Sequence, residues 1–132
     1  MRGVVDALTG SGRREAIAHA HEIRPWGRFT VLQKEEARAS APGFKVKEVV
    51  VDGHGRTTLQ LHPGRDEIWV VVEGEAVVFR DGEEFSLRPG GSITVPRGTR
   101  HRLTNPTGSR LRLIEIGYGE ALEDEDTVRL EE

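Results

Sequence analysis

At 132 residues the chain has room for one domain with a single core and too little for two. Its 22 acidic and 19 basic side chains leave a formal net charge of -3 without a basic tract, so no nucleic-acid partner is expected. The absence of cysteine excludes disulfides and thiolate zinc sites, leaving histidine, carboxylate or amide oxygen to hold any metal.

Near Met1, Val4-Val5 is followed at once by Asp6, unlike a secretory leader, and no apolar run approaches bilayer length. A cytoplasmic protein without a membrane partner is expected. Residues 4–23 carry Val5, Leu8, Ala16, Ile17 and Ala20 at roughly helical spacing, interrupted by Gly10-Ser11-Gly12. This predicts a short, partly helical N-terminal extension over 1–23. Arg24-Pro25-Trp26-Gly27 then marks the entry to a folded domain at 24–132.

From there the pattern is that of strands. Residues 28–32 alternate, and 44–51 read Phe-Lys-Val-Lys-Glu-Val-Val-Val, rich in β-branched side chains. Further strands are predicted at 57–62, 68–72, 76–79, 84–87, 92–95, 102–103, 111–116 and 127–130. Asp52-Gly53, Glu73-Gly74, Asp81-Gly82, Pro89-Gly90-Gly91, Pro96-Arg97-Gly98 and Asn105-Pro106 supply turn chemistry between them. Residues 33–41 read as a polar loop, and 120–132 as an acidic tail around a last short strand. So many short strands predict an all-β sandwich or barrel rather than βαβ units.

Two segments carry chemistry. In Thr58-Leu59-Gln60-Leu61-His62, strand alternation puts Gln60 and His62 on one face. Pro63-Gly64 turns the chain, and Glu67 opens the strand that runs back beside the first. In the second segment a strand ends at Pro96, a glycine-containing turn follows, and His101 starts the next strand. Facing each other across a barrel, the two segments would offer an amide oxygen, two imidazoles and a carboxylate to one metal. An ordinary polar role at a strand end is the alternative for each histidine, and a core hydrogen bond for Gln60. His19, His21 and His54 read as surface residues. Trp26 and Trp69 read as structural.

These segments resemble the paired motifs of the cupin superfamily. Glu67 is followed by six residues and Gly74, and Gly90, Pro96, Gly98, His101 and Asn105 fit the second motif without a gap. A narrower resemblance, carried by Arg24-Pro25-Trp26-Gly27, Leu59-Gln60-Leu61-His62, Arg65-x-Glu67-x-Trp69 and Leu113-Ile114-Glu115-Ile116, is to the cupin of type II phosphomannose isomerases. That domain forms the C-terminal part of bifunctional mannose-1-phosphate guanylyltransferases. The chain departs from that family at Pro63, Gly64 and Ile68, where histidines are common.

The resemblance implies a cupin-type jelly-roll barrel with one divalent metal on Gln60, His62, Glu67 and His101. Zinc suits this chemistry best, and the ligand set also admits Mn, Fe, Co or Ni. It further implies a sugar-phosphate substrate and a homodimer, with the entry strand around Trp26 as a contact. The activity implied is isomerisation of mannose 6-phosphate to fructose 6-phosphate through an enediol. Lys47 or Glu115 is the expected base, and Arg65 the expected partner of the phosphate or enediolate. Lys47 would reach the barrel mouth if Val49 and Val51 point inward; an outward salt bridge is its alternative, as for Arg100. The rival activities are a non-catalytic sugar-binding or regulatory cupin and a non-haem iron dioxygenase. Guanylyltransferase activity is not expected, because no glycine-rich phosphate loop of that family stands near the start.

Overall fold

The structure is a computed structural model and describes residues 21–130. Its strands are β1 His21–Arg24, β2 Gly27–Glu35, β3 Gly43–Val51, β4 Gln60–Leu61, β5 Arg65–Glu73 and β6 Ala76–Arg80. They continue as β7 Glu83–Leu87, β8 Ser92–Val95, β9 His101–Thr104, β10 Leu111–Gly119 and β11 Val128–Arg129, with one 3-10 turn at Asp124–Asp126. Two sheets face each other, in the orders β1-β2-β3-β10-β5-β8 and β11-β4-β9-β6-β7. All pairings are antiparallel, which is the all-β jelly-roll arrangement that the sequence predicts. Among the described residues no helix is long and apolar enough to cross a membrane.

Alternation decides which side chains meet. On β3 Lys45, Lys47, Val49 and Val51 face the interior, and on β5 Arg65, Glu67, Trp69 and Val71 do. Val51, Val71, Val78, Leu111 and Leu113 are buried almost completely and fill one end of the barrel. The other end carries the charged positions of the same strands. One sandwich therefore has an apolar half and a polar half.

Three sequence expectations are corrected, and a fourth falls mostly where the structure describes nothing. The helical turns expected before residue 24 fall mostly on residues 4–20, outside the described residues. The last of that segment is strand, with His21 paired to Thr30 and Arg24 to Gly27. Residues 33–35, read as loop, continue β2. Of the strand expected at 57–62, only Gln60–Leu61 keeps regular pairing. There the Thr57 hydroxyl accepts the Leu103 N–H in place of a ladder carbonyl, and Pro63 has no N–H with which to extend the ladder.

Candidate metal centre

The first motif and the second are joined through the backbone. Gly98 N–H donates to the His62 carbonyl at 2.9 Å, and Gly98 has φ +77°, a conformation that side-chain-bearing residues rarely adopt. Pro96-x-Gly98 thus folds the loop before β9 onto the turn that carries His62. Asn105, 1% exposed, fixes the far end of β9. Its amide donates to the carbonyls of Val51, Asp52 and Ser109, while its oxygen accepts the Thr107 N–H. These conserve the spacing between the histidine and the sheet opposite.

His62, Glu67 and His101 come together, each buried, with one donor atom apiece lying within 4.8 Å of the others. Glu67 is the third residue of β5 rather than its first. Both of its oxygens are engaged: Trp69 Nε1 donates to Oε1 at 3.0 Å and Arg65 Nε to Oε2 at 2.9 Å. His62 Nε2 stands 3.4 Å from Glu67 Oε2. The two imidazole centroids are 4.9 Å apart, and the His101 ring meets Trp69 edge-on at 5.6 Å.

Tautomers follow from the partners. His101 Nδ1 lies 3.0 Å from the Thr99 carbonyl, which can only accept, so the proton sits on Nδ1. Nε2 is then a bare lone pair, buried and without a hydrogen-bond partner among the described residues. An orphaned buried acceptor beside a second imidazole and a carboxylate fits a divalent cation. Burial, and then the positive charge of Arg65, lower the His62 pKa from 6.5 to about 3, so its ring is neutral and suited to a metal ligand.

A cavity of 470 Å³ opens between the sheets over this cluster. Gln60 and His62 both line it, as alternation predicts, although His62 stands one residue beyond β4. Gln60 is half-buried, accepts the Thr58 hydroxyl at 3.3 Å, and pairs across the sheet with His101. Lys47 and Glu115 line the same wall. They are register partners, with Nζ 3.8 Å from Oε2, and Lys47 Nζ also lies 4.1 Å from the centre of the Phe29 ring. Burial, and then the negative charge of Glu67, raise the Glu115 pKa above the ordinary carboxylate value. Arg65 is 4% exposed; beyond Glu67 it donates to the Glu123 carbonyl and lies 3.8 Å from the Asp126 carboxylate. Gly117 leaves room for it, since a Cβ there would stand 3.4 Å from Arg65 Cδ.

The surface residues fall as expected in part. His21 and His54 are exposed, Arg100 is exposed, and His19 lies outside the described residues. Trp26 is half-buried on the cavity wall. Three contacts escape the motif reading, that of Trp69 although the residue itself stands in a motif. Trp69 shares its face with Glu67 two residues earlier, and strand parity was the signal for it. Thr127 Oγ1 lies 3.2 Å from His62 Nδ1, and the Asp126 carboxylate accepts the Gly64 N–H at 3.0 Å. Nothing local marks either residue, since both contacts span more than sixty positions.

This jelly roll, with two histidines and a glutamate converging inside it, defines a cupin. The chain belongs to the family described as Mannose-6-phosphate isomerase C-terminal, whose model matches residues 11–132. It is 35% identical over 131 residues to a mannose-1-phosphate guanylyltransferase of Salmonella muenchen, covering 99% of this chain and 26% of that protein. It is 36% identical to the xanthan biosynthesis protein XanB of Xanthomonas campestris pv. campestris (strain B100), over 100% of this chain and 27% of that one. The alginate biosynthesis protein AlgA of Pseudomonas aeruginosa is 35% identical, over 100% and 26%. The chain thus spans about a quarter of the length of these curated relatives.

Among solved structures, a Lactobacillus farciminis oxalate decarboxylase has a TM-score of 0.67 at 16% identity, covering 84% of this chain and 33% of that one. The cupin domain of Schizosaccharomyces pombe Cnp3 gives 0.59 at 15%, covering 74% and 69%. At such identities these likenesses show the fold alone.

The relatives overturn the expected activity. They are enzymes and polysaccharide-biosynthesis proteins whose names point to a guanylyltransferase-type protein, not to a sugar-phosphate isomerase. These names also leave the regulatory cupin and the iron dioxygenase without a counterpart. Carbohydrate metabolism stands as the setting.

Proposed function

We propose that this chain is the metal-binding cupin domain of a mannose-1-phosphate guanylyltransferase-type enzyme, and that its cavity receives a mannose phosphate. The observation that carries this reading is the buried, unpartnered Nε2 of His101 beside His62 and Glu67. His62, Glu67 and His101 are the metal ligands in this reading, with Gln60 as a fourth from the neighbouring strand. Zinc is the preferred ion, given imidazole and carboxylate donors without sulfur. Bound there, the ion supplies Lewis acidity toward the oxygens of a ligand in the cavity. Lys47 and Glu115 form the pair able to hold or move a proton at the cavity wall, and Arg65 fixes the Glu67 carboxylate. The barrel is the domain expected at 24–132, enlarged at its start by β1 from His21, with the expected extension before it.

A homodimer belongs to the same proposal. Ile68, Val72 and Tyr118 are exposed on the outer face of the six-stranded sheet, and such an apolar face is a better contact than Trp26, which turns to the cavity.

The test is metal analysis followed by calorimetric titration with mannose 1-phosphate and mannose 6-phosphate. One equivalent of metal, and sugar-phosphate binding that His101→Ala abolishes together with the metal, are expected. A metal-loaded protein that binds neither sugar phosphate would end the reading.

A further inference from the structure

The cavity wall carries an uneven set of charges. Arg24 Nη2 lies 2.9 Å from the Asp124 carboxylate, Lys47 Nζ 3.8 Å from Glu115 and Arg65 Nε 2.9 Å from Glu67. Three cations are thereby matched by three carboxylates on the same wall. Arg56 and Arg129 also line the cavity, and among the described residues neither has an ion-pair or hydrogen-bond partner for its side chain. A cation in the metal cluster would add to this positive excess. A neutral ligand would leave it uncompensated.

The fold places Arg129 close to that cluster and Arg56 farther along the same cavity wall. Arg129 on β11 is the register partner of Gln60 on β4, and Gln60 is the register partner of His101 on β9. Directly paired residues of an antiparallel sheet project to the same face, so Arg129, Gln60 and His101 form one rung. With strands about 4.8 Å apart, Arg129 starts roughly 10 Å from His101, within reach of its own long side chain. Arg56 precedes β4 and bridges to Thr104, at the other end of β9 from His101. Both side chains are exposed, so their guanidinium groups keep free donors at the mouth while the histidines lie buried below.

We propose that Arg56 and Arg129 form an anion-binding rim that takes the phosphate of a phosphorylated sugar whose hydroxyl oxygens lie toward the metal cluster. Guanidinium groups recognise phosphate through paired N–H donors, and two of them lining one cavity mouth can grip it from two sides. Arg65, by contrast, is buried, with Nε donating to Glu67 and Nη1 to the Glu123 carbonyl. The proposal rests on the reading of the cavity as a mannose-phosphate site and adds where the phosphate sits.

The experiment titrates zinc-loaded protein with inorganic phosphate and with mannose 1-phosphate, comparing wild type with the Arg56→Gln/Arg129→Gln double variant. The expected result is at least a roughly tenfold weakening for both probes in the double variant, at unchanged zinc content. Equal affinities in the two proteins overturn the rim and leave the sugar-phosphate reading intact. If wild type binds inorganic phosphate through the arginines but gains nothing from the attached mannose, the rim stands and the sugar reading fails. If neither probe binds wild type, both are overturned. Because both positions are exposed, the double variant is expected to fold, and an unchanged melting temperature checks it.

Discussion

The hydroxyl of Thr127 stands 3.2 Å from Nδ1 of His62, so a residue near the end of the barrel orients an imidazole introduced 65 positions earlier. The outer nitrogen of a ligating histidine is commonly held in this way, and the hold fixes both ring orientation and tautomer. Thr127→Val is expected to lower zinc affinity by about tenfold to a hundredfold, and Thr127→Ser to restore most of it. Competition with a chelating dye measures this. Equal affinities for the valine variant and wild type would show that the hydroxyl does not position the ring.

Glu67 balances Arg65 inside the barrel, and both side chains are nearly sealed from solvent. Glu67→Gln removes the charge and leaves the guanidinium buried, with the Asp126 carboxylate 3.8 Å away as its nearest remaining counter-charge. Breaking one side of a buried pair costs about 3 kcal/mol or more, so urea unfolding of the metal-free variant should show a loss of that order. A change below about 1 kcal/mol would mean that solvent or Asp126 compensates fully.

The depressed pKa of His62 makes a prediction about acid. Its value is about 3 in the folded chain against 6.5 for the free side chain, because burial and then Arg65 oppose the charged ring. The unfolded chain therefore takes up the proton first, and stability is lost as pH falls from about 6.5 toward 3. The slope from this group approaches about 1.4 kcal/mol per pH unit. Glu115 acts in the opposite sense, since its raised pKa makes the folded state bind a proton more readily as pH falls. In metal-free protein the His62→Gln variant should lose stability less steeply than wild type across this window. Parallel curves would assign the acid sensitivity elsewhere.

Asn105 makes a different kind of prediction, because it touches no ligand. Its buried amide ties three carbonyls to the end of β9; that of Asp52 also accepts the Gly55 N–H and that of Ser109 the Thr107 hydroxyl, but alanine removes the link among them. Asn105→Ala should cost about 2–4 kcal/mol while zinc content of the folded fraction stays at the wild-type value. Asn105→Asp should fail similarly, since a carboxylate cannot donate to those carbonyls. Thermal unfolding with metal analysis separates this structural role from a role in the centre.

Much of this was legible in one sequence, and for identifiable reasons. The β-branched run at 44–51 alternates so regularly that the inward positions of Lys45 and Lys47 follow from those of Val49 and Val51, and both lysines are buried. Gln60, His62, Glu67 and His101 stand in local motifs whose glycines and prolines announce the turns between them. Where a contact is not local, the reading stops. Nothing in the spacing of Asp126 and Thr127 says that they brace Gly64 and His62, and nothing in Arg56 or Arg129 says that each lacks a counter-ion among the described residues. Strand β1 was missed because Glu22 and Ile23 offer no alternation of their own; only pairing with β2 makes them extended. The burial of Arg65 against Glu67 is likewise a property of the packed barrel that its place in the motif does not reveal.

The ribbon from Asp124 to Arg129 lies downstream of every element that it fastens. A ribosome releases residues 21–119, and with them both histidines and the glutamate, before that ribbon can dock. Nascent chains must therefore pass through a stage in which the barrel is paired but the His62 ring is unbraced and one wall is missing. Metal capture at that stage would be loose, and the last ribbon to arrive would act as the latch that makes it tight.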